Sequence, residues 1–145
     1  MIRRFLPLLC LAAPPLLTSC DKNTEPVPAP VYLLDQRWVL TEIEGQVPST
    51  TRGATTDLVL NSVGSTNAGR AFCNNYGGKY LLTAGSAQLT FSAQYSTYAT
   101  CAEQDQETHY FQLLPQVTRY TISNRRLALY DGEHTTPLLA FTAAE

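Results

Sequence analysis

The sequence predicts an α+β fold, a curved and mostly antiparallel β-sheet or partly closed barrel with one α-helix at about residues 101–114. Three observations predict it. Short runs of strand-forming residues recur along the chain, separated by tight turns. One stretch, 101–114, has neither Gly nor Pro and carries an apolar stripe. A length of 145 residues, 44% of them hydrophobic, supports one packed core of ordinary size and leaves little room for a second.

The elements follow in order. The run 36–43 is rich in strand formers and sets Trp38 and Leu40 on one face; Glu44-Gly45 then turns. Residues 56–61 form a second strand on the alternation of Leu58 and Leu60. Residues 68–76 read as a third, ended by a turn at Gly77-Gly78, with 79–82 and 88–91 as the fourth and fifth. In the helix, Tyr110, Phe111 and Leu114 share one face, and Pro115 ends it. Glu103, Asp105 and Glu107 sit early, where acids complement the helix dipole; they read as a solvated face. Residues 119–122 and 126–130 flank a turn at Ser123-Asn124. A turn at Asp131-Gly132 leads to a last strand at 137–141.

Composition excludes some function classes. A formal charge of −2 gives no basic face for a phosphate backbone, so no nucleic-acid partner is expected. Two histidines leave little for a metal or a His-dependent reaction, and no metal or cofactor is expected. His109 and His134 read as solvated or core-edge residues. No G-x-S-x-G or comparable nucleophile setting occurs, and no catalytic residue is expected.

The N-terminus differs from the rest. Arg3 and Arg4 are the only charges in the first 20 residues, and Phe5 to Leu17 is apolar but broken by Pro7, Pro14 and Pro15. That is the layout of a secretory signal and is too short and too interrupted for a membrane span. Leu17-Thr18-Ser19-Cys20 has the aliphatic-small-small-Cys pattern of the bacterial lipobox, in which the Cys is lipidated and cleavage falls just before it. Residues 1–19 are therefore expected to be a lipoprotein signal, 20–34 the lipidated Cys20 with a Pro-rich tether, and 35–145 the domain. Several acyl chains on one residue anchor firmly where one alone is marginal. The expected location is the bacterial cell envelope, with the membrane as partner through the anchor. Asp21 and its neighbours leave the choice of membrane and leaflet open.

Specific residues resemble a known family. The stretch from Gly69 to Tyr80, with Cys73-Asn74, Tyr76, Gly78 and Tyr80, is similar to the G-x-x-x-C-N-x-Y-x-G-x-Y signature of the META domain, the HslJ-like group of bacterial envelope proteins. Trp38-Val39-Leu40 resembles its W-x-L opening, and 96–101 its S-T-x-x-x-C stretch. Glu107, Phe111 and Leu114 resemble its helix, and Tyr120 with Leu127-Ala128-Leu129 its last strands. Two positions depart: Phe72 stands where many members have Gly, and Ala99 where many have Met. The size exchange reads as compensation within one core. The resemblance implies a compact, mostly-β domain, often lipid-anchored and associated with envelope or heat-shock stress, with no catalytic residues to carry over.

Cys73 and Cys101 lie 28 positions apart, beyond the signal. In an oxidising compartment the pair is most simply a disulfide; a metal or redox pair is the alternative. Asn74, Asn75 and Tyr76 read either as a turn or as a polar recognition patch. Tyr95 and Tyr98 flank Ser and Thr in an expected loop, a composition that suits a contact surface. These five residues are the candidate binding surface for an envelope protein or glycan, on an expected monomer. The overall expectation is a non-catalytic binding or stress-protective lipoprotein. The alternative is a small inhibitor or hydrophobic-ligand-binding barrel.

Overall fold

Eight strands build a single antiparallel sheet that curls into a half-barrel around the face of one helix. The computed structural model describes residues 32–50, 53 and 55–145. The expected signal, Cys20 and most of the tether lie outside the described residues. The strands are β1 (Arg37–Ile43), β2 (Asp57–Asn61), β3 (Thr66–Arg70), β4 (Asn75–Leu82), β5 (Leu89–Ser96), β6 (Arg119–Ser123), β7 (Arg126–Tyr130) and β8 (Leu139–Ala143). Helix α1 (Gln104–Leu113) lies between β5 and β6 and tightens into a 3-10 turn, Leu114–Gln116, that contains Pro115. Among the described residues, no helix is long and apolar enough to cross a membrane.

The sheet order is β5-β4-β3-β2-β1-β8-β7-β6. Its two edges meet at one end only. The amide of Leu89 donates to the Thr118 carbonyl at 3.1 Å, and that of Tyr120 donates to Ala87 at 2.9 Å. Alternation sorts the faces. Trp38, Leu58, Leu60, Leu127, Leu129 and Phe141 point inward and are fully buried. Tyr110 and Leu114 of the helix complete the core, with Leu113 beside them and Phe111 half-buried against it. The Trp38 indole N–H is satisfied by the Leu33 carbonyl at 3.0 Å, which pins the entry to β1. At the β6–β7 hairpin, Asn124 and Arg125 both have positive φ (47° and 65°), as a two-residue type I′ turn needs.

The predicted fold class agrees with this structure. The main difference lies at the third strand. The expected single run 68–76 is two strands with a turn at 71–74 between them, and β4 runs straight through Gly77-Gly78. The glycines serve close approach rather than a turn. A Cβ on Gly78 would overlap the side-chain amide of Gln94. That amide pairs reciprocally with buried Asn67, at 2.8 and 3.0 Å. A Cβ on Gly77 would lie 2.7 Å from the Tyr95 hydroxyl. A register shift in β5, with Ala93 at φ 49°, carries both side chains across β4. Gly78→Ala is expected to destabilise the domain by about 1–3 kcal/mol, because the methyl displaces Gln94 and breaks the amide pair. A thermal melt checks this; an unchanged midpoint would show that the sheet absorbs the methyl.

Phe72 and Ala99 do not exchange volume in one core. Phe72 is buried there, whereas Ala99 is exposed.

Candidate functional site

The 71–74 turn is where the signature residues meet. Its closing bond runs from the Ala71 amide to the Asn74 carbonyl, 2.7 Å. Glu107 enters the turn from the helix and is 2% exposed. One carboxylate oxygen accepts the backbone N–H groups of Cys73 and Asn74, at 2.7 and 2.8 Å. The other accepts the Asn74 side-chain amide at 2.6 Å. Asn74 also reaches the segment after β5. Its side-chain Oδ1 accepts the Thr97 hydroxyl (2.8 Å) and the Ala99 backbone N–H (2.7 Å), and its side-chain NH2 donates to the Ala99 carbonyl (2.9 Å). A disulfide joins Cys73 to Cys101, with Cα atoms 5.6 Å apart. Turn, post-β5 segment and helix are thus tied together by one carboxylate, one amide and one covalent bond.

Beneath the turn, the Tyr76 hydroxyl donates to the Asp57 carbonyl at 2.9 Å and accepts from Tyr110 at 2.6 Å. Burial pushes both phenols well above their ordinary pKa, so they stay protonated donors. The rings of Tyr76, Tyr110 and Phe111 pack edge-to-face with centroids 5.4–5.7 Å apart. A Cβ on Gly69 would overlap the Asp57 carbonyl oxygen, so only glycine lets β3 pass there.

These contacts correct three expectations. Asn74 and Tyr76 are each 4% exposed, with their polar atoms already bonded inside the protein, and cannot present a recognition surface. Glu107 is no part of a solvated face. Its inward position was legible, because 107, 110, 111 and 114 follow the helical period of the apolar stripe. Reading the three acids together, by their place near the helix start, hid that spacing.

The other candidates do lie outside. Asn75 is exposed at the start of β4, Tyr95 is 71% exposed on β5, and Tyr98 is fully exposed beyond it. The backbone brings them together: Tyr95 lies opposite Gly77, and the Thr97 amide donates to the Asn75 carbonyl at 3.0 Å. Beside them, a groove of about 480 Å³ runs between the β5 edge and the helix end, floored by Phe91, Phe111 and Pro115.

The family model of the META domain matches residues 31–145, which takes in every described element. The chain belongs to the META domain family. Two solved structures are similar to this META domain. One is titled an NMR structure of the protein from Burkholderia xenovorans. It shares 24% identity and a TM-score of 0.60, over 83% of this chain and 97% of that one. The other, titled an NMR structure of the protein, shares 18% identity and a TM-score of 0.58, over 76% and 90%. At these identities the likeness shows the fold. A search of the curated proteins finds none that matches. Within the META domain, the Cys-Asn-x-Tyr motif and the helix glutamate thus build the joint between sheet and helix.

Both histidines face carboxylates on the surface. His109 Nε2 lies 3.0 Å from Glu44, and His134 Nδ1 lies 2.6 Å from Asp131. Asp131 also accepts the backbone N–H groups of His134 (2.8 Å) and Glu133 (3.1 Å). The His134 backbone bond, followed by its side-chain bond, lowers the Asp131 carboxyl to about 2. The hydrogen bond to Asp131, with its charge, raises His134 above its ordinary value. The signs define a window. The depressed Asp131 stabilises the loop above its ordinary pKa of about 3.9, and this is lost as pH falls toward the folded value. The raised His134 stabilises fully below its ordinary pKa of about 6.5, and this is lost as pH rises through the folded value. The loop is therefore held best between about pH 4 and 6.5. An NMR titration is expected to show His134 titrating above an unperturbed histidine and returning to it in Asp131→Asn. No change in that variant would contradict the pairing.

Proposed function

We propose that this META domain is a non-catalytic binding module, held at the bacterial envelope by lipid on Cys20, and that it binds through the outer surface at β4 and β5. The observation that carries this reading is the pairing of a buried apolar core with two exposed rings close in sequence, Tyr95 on β5 and Tyr98 just beyond it. Large exposed rings beside polar side chains are the composition of contact surfaces. A binding role under envelope stress accords with what the family resemblance implies, and no bound cofactor is required for it. Support for the anchor comes from the lipobox residues Leu17 to Cys20 and the proline-rich stretch that follows.

A photo-crosslinking residue at position 98, in intact cells, tests the reading. The expected result is one dominant envelope adduct, lost when Tyr95 is changed to Ala. Turnover of a substrate by the purified protein, with no adduct formed, would overturn it. The anchor has its own test: Cys20→Ser is expected to leave the membrane fraction, and retention there would refute lipidation. The second reading, a small hydrophobic-ligand binder or inhibitor, draws on an open cavity of about 500 Å³ between β1, the segment that follows it and the 71–74 turn. Leu40, Val47, Pro48 and Phe72 contribute to its lining.

A further inference from the structure

The sheet registers place a smooth aromatic platform on the outer face. One cross-strand row reads Val59, Ala68, Gly77, Tyr95, from β2 to β5. The first three side chains are small or absent. The phenol end of Tyr95 reaches over Gly77, where a Cβ would sit 2.7 Å from its oxygen, so the ring leans across β4. It remains 71% exposed in that posture. A ring that leans on a bare strand offers its other face to solvent, where a ligand can stack on it.

The neighbouring rows carry hydrogen-bonding and charged groups. On one side lie Arg70 and Asn75, paired across β3 and β4, with Thr97 next to them. On the other lie Thr66, Lys79 and Ser92. Arg70 and Lys79 are exposed, and among the described residues neither is in an ion pair. Their places on the sheet are two residues to either side of the Tyr95 row, about 14 Å apart along the strands. Asp57, at the start of β2 beside Arg70, is engaged: it pairs with Arg37 and accepts the Arg70 backbone N–H at 2.8 Å. In a protein of negative net charge, this face therefore carries two free cations around an aromatic ring.

We infer that this face binds a polysaccharide strand whose pyranose rings carry carboxylates. The proposal rests on the binding-module reading above and names its ligand. A pyranose ring presents a face of polarised C–H bonds that packs on the electron-rich face of a phenol. Its hydroxyls suit the amide and hydroxyls of Asn75, Thr97 and Ser92. Carboxylates on flanking units meet Arg70 and Lys79. A flat strip with one ring suits the face of a sugar; the groove between the β5 edge and the helix end, which Tyr95 also borders, is where a protein anchor would fit instead.

Calorimetric titration of the full chain with tetragalacturonate, against neutral maltotetraose, tests this. Binding of the acidic sugar alone is expected, weakening as salt rises. Tyr95→Ala is expected to weaken it by about tenfold or more, and Tyr95→Phe, which keeps the ring, to restore it. Arg70→Gln with Lys79→Gln is expected to abolish the preference over maltotetraose. No binding of tetragalacturonate, equal binding of both sugars, or an unaffected Tyr95→Ala variant would each overturn the inference. A protein adduct at position 98 without glycan binding would leave the binding module standing and remove the glycan; neither adduct nor glycan would remove both.

Discussion

Glu107→Ala is expected to be among the most damaging single substitutions in the domain, lowering stability by about 3–5 kcal/mol. The reason lies in what is left behind. Four donors converge on this carboxylate: the Cys73 and Asn74 backbone N–H groups, the Asn74 side-chain amide and, at 3.4 Å, the Gln104 side-chain amide. Removing it leaves both backbone N–H groups with no acceptor and takes from the Asn74 NH2 one of its two, the other being the Ala99 carbonyl; each lost partner costs about 1–3 kcal/mol. Glu107→Gln keeps the shape but turns an NH2 toward other donors, so it is expected to recover only part of the loss. Urea unfolding checks both. A midpoint shift for Glu107→Ala worth less than about 1 kcal/mol would mean that solvent reaches the turn and replaces the carboxylate.

The second large effect is expected from Cys73→Ser. Closing a 28-residue separation is worth about 3–4 kcal/mol in the chain-entropy model, exerted mainly on the unfolded chain. Reductant is expected to lower the melting temperature of the wild type and leave the variant unchanged. Equal melting temperatures for both proteins under oxidising conditions would refute a stabilising role. The bridge and Glu107 hold the same turn, so the two substitutions are not expected to add. A double-mutant cycle should show coupling, because a turn already released by one loses less to the other.

The strand series, the helix and most turns were legible because period and punctuation report local geometry. Leu58 and Leu60 alternate as a half-buried strand must, and Pro115 closes the helical segment. The interior partners were less legible. Gly77-Gly78 carries the residues of a turn, and only Gln94 and Tyr95, on another strand, explain why it stays extended. Of the five candidate surface residues, Asn74 and Tyr76 were misplaced for a related reason. A polar side chain beside glycines reads the same from sequence whether it faces water or, like Asn74, bridges three segments of the interior. The Cys pair was easier, since two cysteines beyond an expected secretory signal point to a bridge without knowledge of the fold.

The sheet order has a consequence for how this chain assembles. The first strand, β1, pairs on one side with β2 and on the other with β8, the last. The β6–β7 hairpin reaches the remaining strands chiefly through β8, apart from its edge contact with β5. In a chain synthesised from its N-terminus, β1 to β5 can pair early, but one flank of β1 stays open until β8 arrives. Completing the sheet then requires a contact between the two ends of the domain, the kind of long-range closure that slows folding. A truncation of only the last few residues would strip β1 of that partner and cut the hairpin from the sheet. The segment that carries β8 is therefore a poor place for a deletion, and the close approach of Arg37 and Ala144, whose backbone bond is 2.8 Å long, makes a circular permutant of the domain that joins the two there a feasible way to remove the delay.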